Sequence, residues 1–234
     1  MTMLLPSDYF LFAIPGMAVS IWAQARIWSA YGAGSRVPAR AGVTGAEAAS
    51  MVMRAGGVTG VAIEPVVGEL SDHYDPVGKV LRLSPEVYGG RSLSAVGIAA
   101  HEAGHAIQDA SSYPGLVVRN LIVPMASIGS MLFWVPVMAG LILGLMKLVV
   151  LGIILFSLTV IVQLVNLPVE FDASRRGRQI LQSTGLVSAD EDPVVSRVLN
   201  AAGWTYVAAT LTSVMTLLYD LFQAGAFNAR RRRD

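Results

Sequence analysis

The sequence predicts a mainly α-helical membrane protein with about four transmembrane helices and a small α+β region carrying a short hairpin or edge strand. Three observations lead there. First, 54% of the residues are hydrophobic and only 14% are charged, with a mean hydropathy of +0.58; soluble domains carry about 25% charged residues. Second, the apolar residues are gathered in blocks, at 9–31, 116–167 and 198–222, and a spanning helix needs roughly 20 apolar residues. Third, two polar stretches, 36–115 and 168–197, separate those blocks. The whole chain, 1–234, reads as one membrane-embedded domain.

Composition also excludes. The chain has no cysteine, which removes disulfides, cysteine-ligated metals and a cysteine nucleophile. The net charge of +1 gives no bulk attraction to nucleic acid. Four arginines, 230–233, cluster at the C-terminus, a local bias able to contact anionic lipid or fix topology.

The first block, 9–31, has only Asp8 as a nearby preceding charge and is longer than a signal-peptide core. It therefore reads as a retained spanning helix rather than a cleaved leader. Pro15-Gly16 is placed to bend it, and Trp22, Trp28 and Tyr31 suit an interfacial belt at its far end, where Arg26 can snorkel.

In the polar stretch that follows, Thr44-Gly45-Ala46-Glu47 is a capping box, and the helix it opens ends at Gly56-Gly57. Two short β-type runs come next, Val61-Ala62-Ile63-Glu64 and Lys79-Val80-Leu81-Arg82-Leu83. They flank a turn-rich segment from Ser71 through His73, Tyr74, Asp75 and Pro76 to Gly78. The second run alternates apolar and basic residues, as an edge or half-exposed strand does. Such an edge can hold an extended peptide by strand addition, or can be a structural hairpin alone.

An apolar helix then runs through His101-Glu102-Ala103-Gly104-His105 and should end near Ala110, before the turn Ser111-Ser112-Tyr113-Pro114-Gly115. Residues 116–167 hold two spans and a short turn placed between Ala139 and Lys147, where Gly140 and Gly144 fall; Pro124 and Pro136 are positioned to kink the first. The last block, 198–222, is a fourth span or a helix lying against the others, since Thr205, Thr210, Thr212, Ser213 and Thr216 dilute it.

The chemistry starts at His-Glu-x-x-His. On a helix, His101 and His105 are four apart and project from one face, so both imidazoles can hold one zinc ion. Glu102, next to the first ligand, is placed to act as general base toward a water at the ion. The bland alternative is two ordinary histidines on an amphipathic helix. The chain has only three histidines, however, and two of them fall at this spacing. The polar region is then zincin-like. A hydrolytic site needs a third protein ligand and an open position, and the candidates are Glu170, Asp172, His73 or another acid. Glu170 is favoured because it follows a span directly; if it shares an ion with His101, the apolar segment between them must cross an even number of times, and its length suits two. Asp172 is then expected behind the ligands, receiving an imidazole N–H. Arg175 and Arg176 would pair with these acids or stabilise an oxyanion. His73 would be a further oxyanion candidate or a turn residue bonded to Asp72 or Asp75. Tyr74, Tyr88 and Tyr113 are other oxyanion candidates.

The segments Ser71-Asp72-His73-Tyr74-Asp75-Pro76, Val80-Leu81-Arg82-Leu83-Ser84-Pro85-Glu86-Val87-Tyr88, His101-Glu102-Ala103-Gly104-His105-Ala106-Ile107-Gln108 and Leu167-Pro168-Val169-Glu170-Phe171-Asp172-Ala173-Ser174-Arg175-Arg176 resemble the YugP-type membrane-bound neutral zinc metallopeptidases. More distantly the chain is similar to the HtpX-like proteases, whose glutamate in a Glu-Phe/Tyr-x-Ala-Asp motif maps to Glu170. The motif's closing acid is Ser174 here, so Asp172 is the substitute for it. The resemblance implies a zinc-dependent integral-membrane endopeptidase with one Zn2+ per chain. Two rivals stand beside it: a site-2-type intramembrane protease with Asp172 as ligand, and a non-catalytic zinc-binding scaffold.

The expected partners are a peptide or membrane-protein substrate and the lipid bilayer, with no nucleic acid; a homo-oligomer or another membrane partner is left open. A bacterial inner or plasma membrane is expected. Arg36, Arg40, Arg54, Lys79, Arg82, Arg91, Arg175, Arg176, Arg178 and Arg197 lie on the catalytic side, against Lys147 and the terminal arginines on the other, so the positive-inside rule leans to a cytoplasmic site.

Overall fold

The apolar blocks fold as long helices. The computed structural model describes residues 7–231, with side chains over 8–225; the arginine cluster at 230–233 lies outside the described side chains. Among the described residues, four helical segments are long and apolar enough to cross a membrane: Asp8–Ser35, Pro114–Leu143, Met146–Ser183 and Asp192–Gly225. They are built from α1 (Ser7–Ser35), α5 (Pro114–Leu132), α6 (Trp134–Leu143), α7 (Met146–Ser183) and α8 (Asp192–Arg231). This is a membrane protein, and the weakly apolar last block is long enough to span.

The segment from Pro114 to Leu143 is interrupted at Phe133. Pro136 explains the break: it has no N–H to return to the carbonyl of Leu132, four residues earlier. The turn falls inside the expected window, where Gly144 adopts φ +68 and closes α6, a conformation that favours glycine. One element runs longer than expected. The sequence separates a span ending at Leu167 from a polar segment starting at Pro168, but α7 passes through Pro168 without ending. A single proline forfeits one backbone bond, and no glycine occurs between Gly152 and Gly177 to release the helix.

The chain forms two units. The first comprises Met1–Trp22, Val118–Leu167 and Tyr206–Asp234; the second comprises Ala23–Val117 and Pro168–Thr205. In the first, large apolar side chains point outward: Leu121 is 73% exposed and Ile142 76%. That is the distribution a lipid-facing bundle requires, because lipid, not water, is its solvent.

The second unit has a core of the water-soluble kind. Its helices are α2 (Gly45–Ala55), α3 (Pro85–Tyr88) and α4 (Leu93–Ala110); its strands are β1 (Ala62–Pro65), β2 (His73–Asp75) and β3 (Val80–Leu83). The capping box is present on α2: the Glu47 N–H donates to the Thr44 hydroxyl, and the Thr44 N–H donates to the Glu47 carboxylate at 2.7 Å. Val52 of α2, Leu81 and Leu83 of β3, Val87 of α3 and Val96 of α4 are fully buried in one cluster. Lys79 and Tyr74 also tie the sheet to α4, for both donate to Asp109.

The expected small sheet with a short hairpin is present, but its strands pair differently from the two runs read in the sequence. Its order is β1-β3-β2, with β1 and β3 parallel and β2 and β3 antiparallel. The Val80–Leu83 run is therefore the central strand, not an edge, and the hairpin partner is β2, inside the segment read as turn. Its alternation comes from facing: Leu81 and Leu83 enter the core while Val80 and Arg82 stay half-buried. Arg82 pairs across the strands with Asp75, at 3.1 Å.

Candidate metal centre

The site is made where α4 meets α7. Ser92 caps α4, accepting from the Ala95 N–H at 3.2 Å. The helix is buried along most of its length, which places His105 and Glu102 inside and leaves His101 half-buried. Two glycines let the helices close. A Cβ at Gly104 would lie 2.3 Å from the Ala173 carbonyl oxygen, and one at Gly177 would lie 2.2 Å from that of Ala100. Neither backbone oxygen can move aside, so only glycine permits this approach.

Close approach brings Glu170 to the histidines. Its Oε2 lies 3.3 Å from His101 Nε2 and 3.4 Å from His105 Nε2, and Glu170 is 2% exposed. Glu102 lies beside them, its Oε1 3.9 Å from His101 Nε2. A direct hydrogen bond would ordinarily be shorter, about 2.9 Å. Tetrahedral zinc, with bonds of about 2.0–2.2 Å to nitrogen and oxygen, holds neighbouring ligand atoms about 3.3–3.5 Å apart. Both nitrogen–carboxylate separations therefore fit the ion in donor type and in distance.

The far sides of both imidazoles are held. His101 Nδ1 lies 2.9 Å from the Ser174 hydroxyl. His105 Nδ1 lies 3.0 Å from Gln108 Oε1. The Gln108 amide nitrogen donates to the Val169 carbonyl at 2.8 Å and to Asp172 Oδ2 at 3.0 Å, so its oxygen must be the atom that faces the histidine. His105 therefore donates from Nδ1 to Gln108, which leaves Nε2 as the ring atom that faces Glu170.

The remaining candidates divide sharply. Asp172 meets no imidazole directly; Arg175 donates to its Oδ1, while Arg176 and Gln108 donate to its Oδ2. It reaches His105 only through Gln108, because Gln108 lies between them. The arginines are thus committed to Asp172, and the Arg176 guanidinium also stacks 5.4 Å from the Tyr113 ring centre. His73 sits on β2 and is exposed; its ring N–H donates to the Ser71 carbonyl at 2.8 Å rather than to Asp72 or Asp75. Asp72 instead accepts from the Ser84 N–H and hydroxyl. Burial pushes the Asp72 carboxyl above its ordinary range, against the pull of those bonds. Sequence reasoning assigned no role to Gln108 and read Ser174 only as a missing acid. The signal for Gln108 was its position: three residues after His105, it shares that histidine's helix face.

Compared with known proteins, residues 9–224 match a family model described as "Putative neutral zinc metallopeptidase". The chain belongs to this family. It is 45% identical over 210 residues to "Putative membrane protease YugP" of Bacillus subtilis (strain 168), covering 90% of this chain and 93% of that protein. No solved structure matches. Family membership extends over both units and includes the α4–α7 pair that forms the site.

Proposed function

We propose that the chain is a zinc-dependent integral-membrane endopeptidase in which His101, His105 and Glu170 hold one Zn2+ and Glu102 is the general base. The observation that carries this reading is the convergence of both Nε2 atoms on Glu170 Oε2, at 3.3 and 3.4 Å, beside Glu102. What supports Glu170 over Asp172 as ligand is the hydrogen bonding, since both Asp172 oxygens are already taken by Arg175, Arg176 and Gln108. That disfavours the site-2-type arrangement.

When bound, the ion would supply Lewis acidity, lowering the pKa of a water and polarising a peptide carbonyl. The chain's own residues do the rest. Ser174 and Gln108 fix the imidazoles so that each Nε2 faces the ligand position. Glu102 takes the proton of the attacking water on its carboxylate and delivers it to the leaving amide nitrogen, so the acid is regenerated as a base each cycle.

The test is proteolysis by detergent-purified protein, comparing wild type with Glu102→Gln while zinc content is followed. Loss of cleavage with zinc retained supports the enzyme. Cleavage unchanged in Glu102→Gln sinks the general-base role, and no cleavage of any peptide library by zinc-loaded wild type favours the scaffold. We also place the site at the cytoplasmic face of a bacterial plasma membrane, on the excess of basic residues in the polar stretches. With no native cysteine, Val77→Cys on an exposed turn reports the side. Labelling by an impermeant maleimide only after cell lysis agrees; labelling of intact spheroplasts reverses the orientation.

A further inference from the structure

The first unit contains a second place where chemistry is concentrated. Asp220 lies in the last apolar segment, and its Oδ2 is buried with no hydrogen-bond partner among the described residues. It faces a cavity of about 310 Å³ lined by Val137 and Leu141 of α6, Val149 and Ile153 of α7, and Tyr219 and Gln223 of α8. The two polar neighbours do not serve the acid, because Gln223 donates its amide N–H to the Tyr219 hydroxyl at 2.7 Å. A carboxyl group in a membrane-spanning segment is costly and normally faces a partner. Here the partner position is an apolar hollow.

The hollow has a direction. Gly144 and Leu145 form the turn between α6 and α7, and a turn between two spans belongs at the membrane surface, where its backbone can be solvated. Leu141 and Val149 are each four residues from Leu145, about 6 Å along their helices, and Val137 and Ile153 are eight residues away, about 12 Å. The lining thus leads from the interface into the hydrocarbon. A single anionic group opening on an apolar channel describes the complement of one kind of molecule, a cation joined to a hydrocarbon chain.

We infer that this cavity binds an aminolipid: the ammonium headgroup donates to Asp220 and an acyl chain lies along the apolar lining between α6 and α7. A glycerol-headed anionic lipid lacks the cation and would place its charge against the carboxylate. The site is independent of the metal centre and of the reading given to it.

The test uses the full chain, delipidated in maltoside detergent and titrated with dioleoyl phosphatidylethanolamine or dioleoyl phosphatidylglycerol under native mass spectrometry. A charge-assisted hydrogen bond predicts about a tenfold preference of wild type for the ethanolamine lipid. That preference should vanish in Asp220→Asn and survive in Asp220→Glu. Val137→Phe keeps the acid but fills the channel; it should lose the preferred lipid, and it carries the test if Asp220→Asn does not fold. Equal binding of the two lipids by wild type, or a preference that persists in Asp220→Asn or Val137→Phe, overturns the inference. A model transmembrane peptide with one lysine is the competing occupant. If that peptide, and not the lipid, distinguishes wild type from Asp220→Asn, the cavity is a helix-docking site and the aminolipid assignment falls.

Discussion

The two units solve opposite solvation problems with the same kinds of side chain. The Ala23–Val117 and Pro168–Thr205 unit hides a core of leucine and valine, as at Leu81, Leu83, Val52 and Val96, and pairs charged groups: Arg40 with Asp190, Arg178 with Asp192, Arg175 and Arg176 with Asp172. In the other unit leucine and isoleucine are displayed, as at Leu121, Ile128 and Ile154. Helix α7 contributes to both. Its first half is a lipid-facing span, and its second half carries Glu170, Asp172 and Ser174 into a buried site. Exposure therefore has no fixed meaning along this chain. What a substitution costs depends on which solvent the position faces.

The comparison predicts that equal truncations have unequal effects. Leu83→Ala, in the fully buried sheet core, should cost about 2–5 kcal/mol. Leu121→Ala, 73% exposed in the other unit, should stay within about 1 kcal/mol, since lipid replaces the lost contact. Denaturant titration of the solubilised protein reads both, and similar losses would break the contrast.

Charge insertion runs the other way. Ile154→Arg, on a residue 56% exposed within the apolar, spanning half of α7, should cost about 3 kcal/mol and reduce membrane insertion. Val77→Arg, 92% exposed on the β2–β3 turn, should change stability by less than about 0.5 kcal/mol. Expression and insertion assays on the pair would sharpen the boundary between the two solvents.

Smaller effects belong to the metal centre's supports. Gln108→Leu removes the acceptor that holds His105 and strands the Asp172 arrangement; metal affinity should fall about 10–100-fold. Ser174→Ala should fall at the low end of that range, because water can reach half-buried His101. Competitive chelation measures both.

The smallest effect is with pH, and its sign differs between two neighbours. The Gly78 N–H, the Arg82 guanidinium and the Val77 N–H hold the Asp75 carboxyl below its ordinary value of 3.8. Its folded pKa is depressed, so its contribution is present above 3.8 and is lost as pH falls below it. Burial raises Asp72 despite the Ser84 bonds; its folded state binds the proton more tightly, so acidification favours it. Melting temperature against pH should fall less steeply on acidification in Asp75→Asn and more steeply in Asp72→Asn.

Local spacing explains what the sequence revealed. His101 and His105 are one helical turn apart, and Thr44 and Glu47 define a cap, so neither needs distant information. The turn near Gly144 and the four spans are equally local. The position of β3 was hidden, because a central strand with one half-buried face has the same alternation as an edge, and only pairing with β1 and β2 distinguishes them. The distant supports of the imidazoles were hidden for a similar reason: Ser174, which meets His101, and Asp172, which meets Gln108, lie more than 60 residues from the groups they support. Gly104 and Gly177 gave no sign of their use until two backbones were brought together.

The ligand set is the claim on which the account turns, and metal content tests it most directly. Zinc in detergent-purified protein should be about one per chain in wild type, lost in Glu170→Ala and retained in Asp172→Asn, weakened only as far as His105 loses its support. Zinc retained in Glu170→Ala but lost in Asp172→Asn would contradict the assignment and make Asp172 the third ligand.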